Sequence, residues 1–106
     1  MLLLLDENLP GKLKQDFPDH QIYTIWEKGW NGLKNGLLLQ KLIENNFQAL
    51  ITYDKNLQHQ QNFKKYPITV FVLSSRLNTY HFLTKLSPQI IEHLKRPLVP
   101  GPIDIK

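Results

Sequence analysis

The chain has 106 residues, no cysteine, and a net charge of +4 from 13 Lys+Arg against 9 Asp+Glu. This length suits one domain with a core of its own, the missing cysteines exclude a disulfide framework or thiolate metal site, and the charge tilts toward a polyanionic partner. No stretch approaches the roughly 20 apolar residues of a membrane span, and the apolar start stops at Asp6 without the basic lead of a secretory signal, so a cytoplasmic protein without a membrane partner is expected.

Leu2, Leu3, Leu4 and Leu5 run straight into Asp6 and Glu7. A continuous apolar run of this length reads as a strand buried on both faces. Asn8 can cap a helix and Pro10 suits its first turn, so residues 10–17 are expected to be a short helix with Leu9, Leu13 and Phe17 on one face. Residues 21–26 alternate and are rich in β-formers, which predicts a second strand. The glycines and asparagines between Gly29 and Gly36 mark a long loop, a type of segment that is often functional. Asn35 is placed to cap a helix over 36–45, whose apolar stripe is Leu38, Leu39, Leu42 and Ile43. Residues 48–53 form a third strand that ends, like the first, on an aspartate, Asp54. Residues 55–63 read as a short surface helix and 68–73 as a fourth strand. Two helices follow, over 79–86 with Asn78 as cap and over 87–95 with Ser87 as cap and Pro88 in the first turn. The Pro-rich residues 97–106 are a non-helical tail beyond a domain of residues 1–96.

Strands alternating with helices predict an α/β fold with a parallel sheet joined by right-handed crossovers. The most apolar strands, the first and third, belong at the centre, giving about four strands in the order 2-1-3-4 with helices on both faces. Ligands bind such sheets beyond the carboxyl ends of the strands, at the point where the chain leaves in opposite directions. Asp6, Glu7 and Asp54 meet there by topology. Clustered carboxylates suit a hard divalent cation, Mg²⁺ or Mn²⁺, with Asp6 and Asp54 as ligands and Glu7 assisting. Such an ion can activate water and neutralise charge on a phosphodiester. Turn and cap roles for the two aspartates are the alternative.

The segments Leu-Leu-Leu-Asp-Glu-Asn-Leu-Pro and Ala-Leu-Ile-Thr-Tyr-Asp-Lys-Asn-Leu resemble the two signature segments of short bacterial PIN-like proteins, a family related to the ribonucleases of toxin–antitoxin systems. The likeness covers roughly residues 2–94. It implies a three-layer PIN-like fold and, for active relatives, a metal-dependent ribonuclease with three or four acids, here with Asp6, Glu7 and Asp54 as the catalytic set. Two positions depart from the pattern: Asn35 and Asn56 stand where the family commonly has acids. Asparagine keeps an acceptor oxygen and loses the charge, so both asparagines, with Thr52, are expected to support the carboxylates from behind.

RNA and a cognate antitoxin are the partners this resemblance implies, with a homodimer or partner surface on the tail as a further expectation. Lys34, Lys55 and Arg76 are candidates for phosphate contact, and Trp30, in the glycine-rich loop, for base stacking, ahead of Trp26 and Tyr53. Two other functions compete. One is a catalytically degenerate module that binds RNA or a partner protein. The other is a receiver-like phosphoacceptor, which needs a fifth strand ending in lysine, where this chain reads as helix and prolines.

Overall fold

A computed structural model describes residues 1–57 and 62–106. Its centre is an all-parallel five-stranded sheet in the order β2-β1-β3-β4-β5, formed by β1 (Leu2–Leu5), β2 (Gln21–Thr24), β3 (Ala49–Thr52), β4 (Thr69–Leu73) and β5 (Gly101–Ile105). The α/β class and the order of the first four strands agree with the sequence reading. The number of strands does not: the Pro-rich tail contains the fifth, paired to β4 with Phe71 opposite Ile103. β5 escapes a sequence reading because it is an edge strand. Only its end residues, Gly101 and Ile105, are buried, and Pro102 stands inside it. Gly101 donates its N–H to Ile68 O, and Ser74 donates to Ile105 O. This phase turns the position of Pro102 outward, where a missing N–H costs no ladder bond.

Alternation along the strands sends side chains to two cores. Leu3, Leu5, Ala49, Ile51, Phe71 and Leu73 enter one cluster, which is closed by Leu13 and Phe17 and by Leu83, Leu86, Ile90 and Leu94. Leu4, Leu50, Val70 and Val72 enter the other, closed by Leu38, Leu39 and Leu42 of α2 (Asn35–Glu44). Helical segments therefore cover both faces, as two-sided burial of the central strands requires.

Several boundaries differ from the sequence reading, each for a local reason. The first connection is a 3-10 helix, Gly11–Asp16, and Pro10 stands just before it in extended conformation rather than in its first turn. β2 stops at Thr24 because Thr24 begins α1 (Ile25–Lys28): its Oγ1 accepts from Glu27 N, and Glu27 Oε1 accepts from Thr24 N. The spacing Thr24-x-x-Glu27 is a capping box, a signal legible in the sequence. α1 then ends on Gly29 at φ 73°, a left-handed turn that glycine adopts without strain. The expected surface helix over 55–63 falls partly on residues 58–61, outside the described residues. After β4 the chain forms α3 (Tyr80–Leu83), a 3-10 turn Thr84–Leu86, and α4 (Ser87–Leu94).

The asparagine and serine caps expected at three helices do other work. Lys34, Thr79 and Leu86 occupy the cap positions of α2, α3 and α4, and none makes a side-chain cap bond. Ser87 instead joins a cluster on Asp16. Asp16 Oδ2 accepts from Thr84 Oγ1 and Ser87 Oγ, both at 2.7 Å, and Oδ1 accepts from Tyr80 Oη at 2.8 Å. One carboxylate thus ties the first connection to the last three helical segments. Bonds to a charged acceptor are worth about 1.5–3 kcal/mol each and are not additive here. Asp16→Ala is expected to lower stability by roughly 2–4 kcal/mol in urea unfolding, and Asp16→Asn by less, because the amide retains one acceptor oxygen. A change below about 0.5 kcal/mol for the alanine variant would remove this tie from the account.

Candidate functional site

The ladder between β1 and β3 continues one step past the strand: Asp6 N donates to Ile51 O at 2.9 Å. The register Leu5↔Ile51 then places Asp6 beside Thr52. Asp6 shares the parity of Leu4, and Thr52 that of Leu50, so both point to the face that α2 covers. Both are buried, Asp6 at 7% exposure and Thr52 at 0%. Thr52 Oγ1 donates to Asp6 Oδ2 at 2.7 Å and accepts the N–H of Asp54 at 3.0 Å. One hydroxyl therefore joins the two loops that carry the aspartates, and the two carboxylates lie close enough for their charges to oppose one another.

Each carboxylate has further partners. Asp6 Oδ1 accepts from Glu7 N at 2.8 Å. Asp54 Oδ1 accepts from Asn56 N at 2.9 Å, and Asp54 Oδ2 accepts from Asn35 Nδ2 at 3.4 Å. Asn35 and Asn56 thus both meet Asp54. Asn35 acts through its amide from the first residue of α2, and Asn56 through its backbone. Asn8 is not a helix cap. Its Oδ1 accepts from Tyr53 N at 3.3 Å and its carbonyl accepts from Asn78 Nδ2 at 3.0 Å, while Tyr53 Oη donates to Ser75 O at 2.7 Å. These bonds knit together the loops after β1, β3 and β4, beyond the carboxyl edge of the sheet.

Not every expected residue joins the site. Glu7 is exposed, and among the described residues no group of three or more His, Asp and Glu converges as a cation cage. Asp6 and Asp54 remain the pair. Such a pair fits Mg²⁺ or Mn²⁺ in the manner usual for Mg²⁺, through one or two carboxylates with water and substrate phosphate completing the shell, and does not fit an all-protein cage. Lys34, Lys55 and Arg76 are exposed, at the start of α2 and just past β3 and β4. Trp30 is not an open stacking ring. It is half-buried, packs edge-on against Phe47 at 5.6 Å between centroids, and carries Lys28 Nζ over its face at 5.4 Å.

Compared with models of protein families, with curated proteins and with solved structures, the chain matches none. Among the described residues no helix is long and apolar enough to cross a membrane.

Burial is the largest influence on Asp6. It raises the carboxyl pKa above its ordinary 3.8, against the opposing bonds from Thr52 and Glu7 N and together with the charges of Glu7 and Asp54. A carboxyl with a raised folded pKa adds stability that is fully present below the unfolded pKa and lost as pH rises through the folded one. At neutral pH the fold therefore carries a buried negative charge at a cost. Asp6→Asn is expected to melt no lower than the parent at pH 7, and the difference should shrink as pH falls below the carboxylate range. Thermal unfolding across pH 3–8 measures this; a variant markedly less stable at pH 7 would mean that the carboxylate serves the fold.

Proposed function

We propose that the chain is a Mg²⁺- or Mn²⁺-dependent ribonuclease of the PIN-like, toxin–antitoxin type, acting in the cytoplasm, with Asp6 and Asp54 as its metal-holding pair. The observation that carries this reading is the Asp6–Thr52–Asp54 bridge at the carboxyl edge of β1 and β3, the switch point of a parallel sheet, where open α/β folds take their ligands. A carboxylate buried despite its charge, with a second carboxylate near it, is the kind of pair that supports a binding-site reading. The resemblance of residues 3–10 and 49–57 to PIN-like signature segments and the net charge of +4 point the same way.

Within this reading each residue has a defined task. Asp6 and Asp54 hold the cation, which when bound supplies charge neutralisation at the scissile phosphate and a more acidic water. Thr52 orients Asp6 and fixes the start of the Asp54 loop. Asn35 offers Asp54 a neutral amide, and Lys34, Lys55 and Arg76 attract the phosphate backbone. Glu7, exposed beside Asp6, would assist the pair.

A second reading, a module that binds RNA or a partner without cleaving, draws on the asparagines at 35 and 56 and on the pair of acids where active relatives have three or four. A third, a phosphoacceptor, gains from β5: the fifth strand exists, and Lys106 follows it directly. Treatment with a small phosphodonor, followed by mass measurement, tests that reading on Asp54.

Purified protein with single-stranded RNA and Mn²⁺ separates the first two. Cleavage is expected, abolished by chelation and reduced on the order of 100-fold or more by Asp6→Asn and by Asp54→Asn. Thr52→Val, which removes the hydroxyl that orients Asp6, should weaken metal dependence about 10- to 100-fold. Cleavage that survives both aspartate substitutions would overturn the assignment, and binding without turnover would select the second reading. Mn²⁺ should also raise the melting temperature of the parent chain and not that of Asp6→Asn, and this gain should fade as pH falls through the raised Asp6 pKa, because the proton competes with the ion.

A further inference from the structure

Two side-chain hydrogen bonds cross between the loop of Asp6 and the chain that leads into Asp54. One is the Thr52 hydroxyl on Asp6 Oδ2. The other lies past the strand ends, where Tyr53 donates its N–H to Asn8 Oδ1 at 3.3 Å. Asn8 comes two residues after Asp6, and Tyr53 directly precedes Asp54. A single bond between two segments is a pivot, about which the carboxylates can still swing apart. A second bond, offset along the chain, removes that freedom.

Both ends of the second bond are anchored. On the Asp6 side, Leu9 donates its N–H to Asp6 O at 3.1 Å and closes a turn with Asn8 inside it, and the Leu9 side chain is buried. On the Asp54 side, the Tyr53 ring packs against the same core cluster as Leu9, and its hydroxyl is held by Ser75 O at 2.7 Å. The Asp54 N–H is held in turn by Thr52 Oγ1. The carbonyl of Asn8 accepts from Asn78 Nδ2 at 3.0 Å, so one residue meets both neighbouring loops. Asn8 itself is half-buried and caps no helix. A neutral bond at the long end of the usual range adds little stability, so its main effect is on position.

Position matters most to an ion that is strict about its own geometry. Mg²⁺ demands near-ideal octahedral contacts at about 2.0–2.1 Å, whereas Ca²⁺ accepts oxygens at about 2.3–2.6 Å in flexible arrangements. Carboxylates held at one separation suit the first ion, and carboxylates free to spread suit the second. We infer that Asn8 is a positioning residue: its carboxamide fixes the separation of the Asp6 and Asp54 carboxylates and makes the pair selective for Mg²⁺ or Mn²⁺ over Ca²⁺. The inference rests on the proposed metal pair for its ion, while the brace itself is measurable with no ion present.

The test uses the full chain, Asn8→Ala, which removes the acceptor, and Asn8→Asp, which keeps an oxygen for the Tyr53 N–H. In EDTA, amide exchange followed by NMR is expected to be at least about 5-fold faster in Asn8→Ala, at Asp54 and Asn56 as well as at Tyr53, and parent-like in Asn8→Asp. The melting temperature of Asn8→Ala should fall by less than about 5 °C. In calorimetric titrations Asn8→Ala should bind Mg²⁺ and Mn²⁺ about 10-fold more weakly and Ca²⁺ within twofold of the parent, with Asn8→Asp keeping the parent's order of ions. Equal loss for all three ions with a larger fall in melting temperature marks a residue that serves only the fold and overturns the inference, as does parent-like exchange in Asn8→Ala. The same ion preference in the parent and in Asn8→Ala overturns the role of Asn8 and leaves the metal pair standing. A parent chain that takes up none of the three ions removes the pair, and the selectivity with it.

Discussion

The hydroxyl of Thr52 holds together the part of the molecule that looks functional. It donates to a buried carboxylate on the neighbouring strand and accepts the N–H of the residue two places further along its own chain. Both bonds depend on one register, Leu5 opposite Ile51. A slip by one residue would turn Asp6 or Thr52 to the opposite face and exchange their burial for that of a leucine or isoleucine. β1 is a run of four leucines, so apolar packing alone discriminates little against that slip, and the polar residues at the ends of the two strands fix the alignment. Packing and site geometry are two consequences of the same alignment.

The support around the pair is polar and cross-braced. Asn8, Tyr53, Ser75 and Asn78 link three loops on one side, and Asn35 meets Asp54 from the start of α2 on the other. Among the described residues no buried side-chain polar atom is left without a partner, so burying Asp6 does not leave its oxygens unpaired, although its charge stays desolvated. Away from that pair, Asp16 performs a purely structural version of the same task by gathering three hydroxyls from the last helical segments. The contrast is instructive. Asp16 is satisfied on both oxygens by side chains that converge on it alone, whereas Asp6 and Asp54 share a bridge at the carboxyl edge of the sheet.

The two sheet edges are finished differently. β5 places Pro102 where an outward N–H would invite another strand, and exposes Asp104 next to it. β2 is short, and the N–H of its last residue is taken by Glu27. Neither edge offers a long template for pairing.

What the amino-acid order determined alone was the central scaffold and the two acids. Runs of leucine, isoleucine and valine bounded by aspartate can be buried on both sides only as inner parallel strands, and a crossover topology then carries their ends to one edge. Local chemistry stopped short of three things that the tertiary structure decided. The tail became a strand because β4 had an unpaired side; its own sequence, with two prolines and few buried positions, carries little β signal. Asn8, Asn35, Asn78 and Ser87, all sound cap residues by type, were drawn to partners distant in sequence, since a side chain that can cap can equally bond across a crevice. And the difference in exposure between Trp26 and Trp30 lay in packing: Phe47 and Lys28 enclose Trp30 and leave Trp26 in solvent, a difference that no spacing along the chain records.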